Sequence, residues 1–283
     1  MQLRGRILVI AGSDSGGGAG IQADIKTITA LGSYAMTAIT ALTAQDTLGV
    51  HAIHPVPPEF IRHQIRLAFA DIGVDSIKIG MLGDAATIDA VCDELDAIDH
   101  LPPLIVDPVM SAKGGASLLA HQAVAQLKRR LIPLAGLITP NIPEAEILTG
   151  MSISDESAMH RAAHALLTLG APAILLKGGH LDSPDVIDLL VTPTETQVFR
   201  APRIQSRHTH GTGCTLASAI ATGLAQNLTL VQAVQRAQTY VQAAIRTAPR
   251  YGQGHGPLNH AAMLELASDA AAAPAGLKHD DFG

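Results

Sequence analysis

Tryptophan is absent from this sequence, and aromatic residues of every kind make up 2% of it. The core cannot be built around large rings, so the 47% of hydrophobic residues must supply it as Ala, Ile, Leu and Val. That is the palette of helices packed on a buried parallel sheet. Cysteine is scarce too. Cys92 and Cys214 could pair, but a chain of 283 residues needs no covalent staple and nothing points to secretion. Charged residues amount to 16%, the formal net charge is −6 and no basic block occurs, which argues against nucleic-acid and anionic-membrane binding. Long apolar runs are missing. The stretch after Met1–Arg6 meets glycine within a few residues, too short for a signal segment or a membrane span, so a soluble cytoplasmic protein is expected. No Gly-x-x-x-x-Gly-Lys-Ser/Thr is present, so any nucleotide must be held without a Walker loop. With no repeat and no linker, the sequence predicts one domain over 1–266, followed by an Ala-rich mobile tail, 267–283.

What the chain does have is short apolar runs: Ile7–Ala11, Ala35–Leu42, Ser76–Ile79, Leu104–Val106, Gly136–Ile138 and Ala173–Leu176. Most end in a turn containing Gly, Asp or Pro. Helix-like stretches lie between them, at 19–31, from Pro57-Pro58 to Phe69, at Thr87–Ile98, Gln122–Leu131 and Ser157–Leu169. The alternation predicts an α/β fold, a three-layer sandwich with a central, mostly parallel sheet and helices on both faces. Val186–Val191 and Glu195–Phe199, on either side of Thr192-Pro193-Thr194, predict an antiparallel hairpin at a sheet edge. Two closing helices are expected, Cys214–Ala225 and Leu230–Thr247.

In open parallel sheets, ligands bind beyond the carboxyl ends of the strands. Asp14, Gln45, Met81, Asp107, Asn141, Lys177 and His180 each follow an apolar run and should share one rim. Ordinary turn chemistry accounts for about half of them, but not for the recurrence of charged and amide side chains. The glycine-rich stretch after the first run can cradle a phosphate or let the backbone approach a ligand closely. Gly18–Ala23 matches a relaxed dinucleotide fingerprint, yet Gln45 stands where the acidic ribose partner belongs. The richest cluster is Thr209-His210-Gly211-Thr212-Gly213-Cys214-Thr215, directly before an Ala- and Leu-rich helix. Glycines there let N–H groups converge, and the helix start adds its positive end, which suits charge developing on a transferring phosphoryl group. A thiol in that first turn is expected to have a lowered pKa. The same residues also read as a tight turn with a structural Cys, as a Cys/His pair lacking a third partner, or as an underdetermined metal site. Asp107 and Glu144 can together hold Mg²⁺, although Glu144 serves equally well as a helix-start charge. Lys177, beside Gly178-Gly179, can meet a nucleotide phosphate or snorkel from the sheet. Lys113 reads as a flap-loop lysine or a solvated one.

Together these residues resemble the hydroxymethylpyrimidine/phosphomethylpyrimidine kinases of thiamine biosynthesis, in the ribokinase-like superfamily. The resemblance rests on Ala11–Asp24, Thr40–Gln45, Lys78–Leu82, Asp107–Met110, Thr139–Ala145, Lys177–His180 and His210–Thr215, in this order over nearly the whole chain. It implies a ribokinase-like sandwich with a small flap, ATP and Mg²⁺ as requirements, and a homodimer. By position, Gln45 should read the pyrimidine edge, with Gly12, Ala19, Asp24, Met81 and Val109 lining the same pocket. Gly211, Thr212 and Gly213 should form the anion hole beside Cys214, which stands where the wider superfamily has an Asp base. Lys177, Asn141 and Lys113 should serve ATP, and Asp107 and Glu144 the metal. A pyridoxal kinase on the same scaffold is the near rival; Met81 and Gln45 favour the pyrimidine. An NAD-dependent oxidoreductase and a non-catalytic pyrimidine sensor are the more distant ones.

Overall fold

The computed structural model describes residues 3–111, 115, 118–120 and 122–262. Among the described residues nine strands form one sheet: β1 Arg6–Asp14, β2 Tyr34–Gln45, β3 Val50–Pro55, β4 Ser76–Ile79, β5 Leu104–Val106, β6 Leu137–Ile138, β7 Ile174–Lys177, β8 Asp185–Val191 and β9 Thr196–Pro202. Their spatial order is β3-β2-β1-β4-β5-β6-β7-β8-β9. β2, β1, β4, β5, β6 and β7 run parallel, while β3 at one edge and the β8–β9 hairpin at the other are antiparallel.

Period-two alternation along the strands divides the core. On β1, Leu8 and Ile10 enter one apolar cluster while Ile7, Val9 and Ala11 enter the other. The larger cluster is covered by α2 Pro58–Leu67, α3 Ala85–Asp96, α4 Ala123–Gln126, α5 Ile142–Thr149 and α6 Glu156–Leu167. The smaller is covered by α1 Gly20–Ala30, α7 Thr212–Ala225 and α8 Leu230–Arg246. Small residues bring α7 and α8 close together: a Cβ on Gly223 would lie 2.7 Å from the Ala233 Cβ. The expected sandwich and the edge hairpin are both present. Two of the expected helices end differently, since α2 passes into a π-type turn at Ala68–Ile72 and α4 into another at Leu127–Leu131. β3 is an addition: its residues are largely exposed, so no alternation marked them as a strand. Lys113 of the flap and the tail 267–283 lie outside the described residues.

Strand order reverses at β1. β1 connects through α1 to β2 on one side, and the chain then returns through α2 to β4 on the other, with α1 and α2 on opposite faces. The crevice that such a reversal opens at the carboxyl ends of the strands is the expected ligand position.

Candidate active site

A cavity of about 690 Å³ lies there, and all but one of the described candidate site residues line it. Gly12, Ala19, Gln45, Met81, Asp107, Val109, Asn141, Glu144, Lys177 and Gly211 to Cys214 all face it. The exception is Asp24.

At one end, Asp14 closes β1 and folds the glycine-rich loop around its carboxylate. Oδ1 accepts from the Gly16 amide at 2.8 Å; Oδ2 accepts from Gly18 at 3.0 Å and Ala19 at 2.8 Å. Burial raises the pKa of this carboxyl, but His210 and the loop amides outweigh burial and hold it below the ordinary range. Gln45 lies beside this loop, its Oε1 accepting from Thr43 Oγ1 at 3.1 Å. Across from it, a Cβ on Gly12 would meet Met81 Sδ at 3.0 Å, so glycine leaves the thioether its place. An amide and a thioether thus border one pocket, able to read a polar edge and an apolar face.

Asp24 is a correction. It does not line the cavity; it is fully buried beneath it, accepting from Lys78 Nζ at 2.9 Å and Ser218 Oγ at 2.6 Å. Burial works against the Lys78 ammonium, but Asp24, Cys214 and Asp107 together hold its pKa above the ordinary lysine value. Lys78 rather than Asp24 reaches the cavity. The visible signal was a lysine inside the otherwise apolar run Ser76–Ile79.

The expected anion hole coincides with the start of α7. Gly211 caps it with φ +84°, and a Cβ there would lie 1.8 Å from the Gly18 carbonyl oxygen, so only glycine fits. No side chain caps the helix, and the first-turn amides of Thr212, Gly213 and Cys214 have no carbonyl one turn back within it. The Thr212 hydroxyl is spent on the Thr209 carbonyl at 2.7 Å. Cys214 brings a second correction. Burial, only partly offset by Lys78, pushes its thiol up to about 11, so the helix start does not make it a thiolate at neutral pH.

Facing the hole, Lys177 ends β7 and donates to Asp107 Oδ1 at 2.9 Å, which also accepts from Thr139 Oγ1 at 3.1 Å. Burial works against the Lys177 ammonium, but Asp107 and Glu144 hold its pKa above the ordinary value. A Cβ on Gly213 would stand 3.3 Å from both Lys177 Nζ and Asp107 Oδ2. Glu144 starts α5 in a capping box with Asn141: each backbone amide donates to the other's side chain, at 2.8 and 2.9 Å. Burial raises Glu144 to about 7; Lys177 opposes this and Asp107 adds to it. Among the described residues, no three His, Cys, Asp or Glu side chains gather as a metal cage. Mg²⁺ held through phosphates needs only one or two carboxylates. Two buried carboxyls side by side, with Asp107 raising Glu144, fit a cation arriving with its phosphates.

Beyond this rim apolar side chains line the cavity, Phe199 of β9, Ile204 just after it, and Leu216, Val241 and Ile245 of the closing helices, with Arg203, Gln238 and Gln242 among them. Asp188 on β8 accepts from the Gly178 amide at 3.0 Å and from Gln238 at 2.8 Å, tying hairpin to α8. Sequence reading missed this wall. Its members are plain core residues whose exposure to a cavity depends on how hairpin and helix meet.

A parallel sheet reversing at β1, with an uncapped glycine-rich helix start opposite a lysine and two carboxyls, defines a small-molecule kinase of ribokinase-like fold. The chain belongs to the phosphomethylpyrimidine kinase family, whose model matches residues 14–259. A hydroxymethylpyrimidine/phosphomethylpyrimidine kinase of Haemophilus influenzae is 48% identical over 265 residues, 92% of this chain and 98% of its own length. The thiamine biosynthesis bifunctional protein ThiED of Geobacter sulfurreducens is 55% identical over 266 residues; these are 94% of this chain but 54% of that protein, so the chain spans about half of it. Among solved structures, the pyridoxal kinase of Staphylococcus aureus in complex with AMP-PCP superposes with a TM-score of 0.85 at 33% identity, covering 93% of this chain and 95% of that one. No helix among the described residues is long and apolar enough to cross a membrane.

Proposed function

We propose that the protein transfers the γ-phosphoryl group of ATP to the hydroxyl of 4-amino-5-hydroxymethyl-2-methylpyrimidine, and a second phosphoryl group to the monophosphate so formed. The observation that carries this reading is the pairing of two ends in one cavity: Gln45 and Met81 at one, the uncapped α7 amides at the other. An amide offers a donor and an acceptor together, matching the edge of an aminopyrimidine, and Met81 supplies an apolar neighbour. Gly12, Ala19 and Val109 complete the pocket; Asp24 supports it through Lys78.

The amides of Gly213 and Cys214 donate to the oxygens of the moving phosphoryl group, and Lys177 meets the nucleotide phosphates alongside Asn141 and the flap Lys113. Asp107 and Glu144 would hold Mg²⁺, which neutralises phosphate charge when bound. A loose transition state asks little of a base, so positioning and charge carry the reaction. Cys214, protonated at neutral pH, shapes the hole next to the hydroxyl and does not act as a thiolate. We assign the activity to the domain 1–266, acting as a homodimer in the cytoplasm; sedimentation velocity checks the assembly.

Product analysis after incubation with ATP, Mg²⁺ and the pyrimidine tests the proposal, together with Gln45→Ala and Cys214→Ala kinetics. Gln45→Ala should raise KM for the pyrimidine by about tenfold or more with little change for ATP. Full activity in both variants would sink this assignment of the pocket. The structural likeness to pyridoxal kinase favours one second reading. A side-by-side assay with pyridoxal decides it, and Met81 favours the pyrimidine.

A further inference from the structure

His210 sits one residue before the cap of α7, and its ring Nε2 lies 2.9 Å from Asp14 Oδ2, both residues buried. The same carboxylate holds the Gly16, Gly18 and Ala19 amides. One side chain therefore ties the loop at the acceptor end of the cavity to the loop that caps the phosphoryl end. The two loops also touch through their backbones. A Cβ on Gly18 would lie 2.5 Å from the His210 ring, and one on Gly211 would run into the Gly18 carbonyl. From the other side, the His210 amide donates to the Gly256 carbonyl at 3.1 Å and the residue bridges to Pro257, which fixes its main chain.

Hydrogen-bond chemistry sets the tautomer. An ionised carboxylate only accepts, so His210 Nε2 carries the proton. Gln45 Nε2 lies 3.4 Å from that nitrogen and finds a donor there, not an acceptor. The Gln45 N–H groups are thus not consumed by His210.

We propose that Asp14 and His210 are positioning residues that hold the acceptor loop, 12–19, in register with the α7 amides, so that the phosphoryl group passes to the substrate hydroxyl and not to water. This rests on the kinase reading above. In-line transfer is sensitive to placement, and a displacement on the order of 1 Å can cost about a hundredfold in rate. With the register lost, a water oxygen takes the γ-phosphoryl group: the same bond to the ADP oxygen breaks, and inorganic phosphate leaves in place of the phosphorylated alcohol.

The experiment compares the parent with His210→Phe and His210→Gln, measuring ADP released and phosphorylated pyrimidine formed in the same reactions. His210→Phe should lower kcat by at least about tenfold, raise the ratio of ADP to phosphorylated product well above one, and leave KM for ATP unchanged. His210→Gln, whose amide can still donate to Asp14, should recover much of the rate and restore a ratio near one. His210→Phe with unchanged kcat and a ratio of one overturns the proposal. So does His210→Gln falling as far as Phe, which would mark the ring as mere packing. If His210→Phe does not fold, Asp14→Asn should show the same uncoupling, and tight coupling there overturns the proposal as well. A parent inactive on the pyrimidine but active on pyridoxal refutes the substrate assignment alone, and the ratio is then read with pyridoxal.

Discussion

Glu144 shows how one side chain carries two duties. As the third residue of α5 it closes a capping box with Asn141, and its burial beside Asp107 raises it from its ordinary 4.5 to about 7. Because the folded value stands above the unfolded one, the neutral form is favoured by folding. The associated stability is fully present below pH 4.5 and is lost as pH rises through 7, about 3 kcal/mol in all. Glu144→Gln keeps the box, since glutamine also serves at that position. Urea unfolding at pH 5 and pH 8 should therefore show a smaller pH dependence in the variant than in the parent. Cys214 yields a second expectation at this scale. With the thiol near 11 and Cys92 near 12, neither cysteine should be alkylated quickly at pH 7. Mass spectrometry after brief iodoacetamide treatment checks this, and fast labelling of Cys214 would restore it as a thiolate. Removing one partner of the buried Lys78–Asp24 pair strands the other, so Lys78→Met should cost about 3–5 kcal/mol, read from chemical denaturation.

Elements decide where such residues meet. The start of α7 works because its cap is glycine: φ is +84° and the Cα rests against the Gly18 carbonyl. Gly211→Ala brings a strained backbone and a direct clash, so kcat should fall by about a hundredfold or more, and the drop should exceed any loss of thermal stability. Steady-state kinetics beside a melting curve separates the two. The central strands and the helix starts were legible in sequence because each apolar run ends at a polar cluster and strand ends face one side. β3 was not, because an edge strand with exposed side chains has no alternation to read. Nor was the apolar wall beyond Lys177, since Phe199 of β9 lies far in sequence from Val241 and Ile245 of α8 and meets them only when hairpin and helix pack.

At the scale of the molecule, one nine-stranded sheet joins every described element, with β1 at the point where strand order reverses. Strand β1 contributes to both apolar clusters, so neither can come apart alone. A single cooperative transition is expected in calorimetry, with van't Hoff and calorimetric enthalpies in agreement. Two resolved transitions would show that one face melts independently.

The sequence by itself determined the fold class, the family and most of the rim. Apolar period, turn residues and helix starts are local properties, and residues at strand ends share one side whatever the packing. Only the tertiary structure decided that Asp24 lies under the pocket and Lys78 reaches it, that Cys214 stays a thiol, and that His210 meets Asp14. Each of these depends on burial and on partners 54 to 196 residues away, which no local pattern encodes.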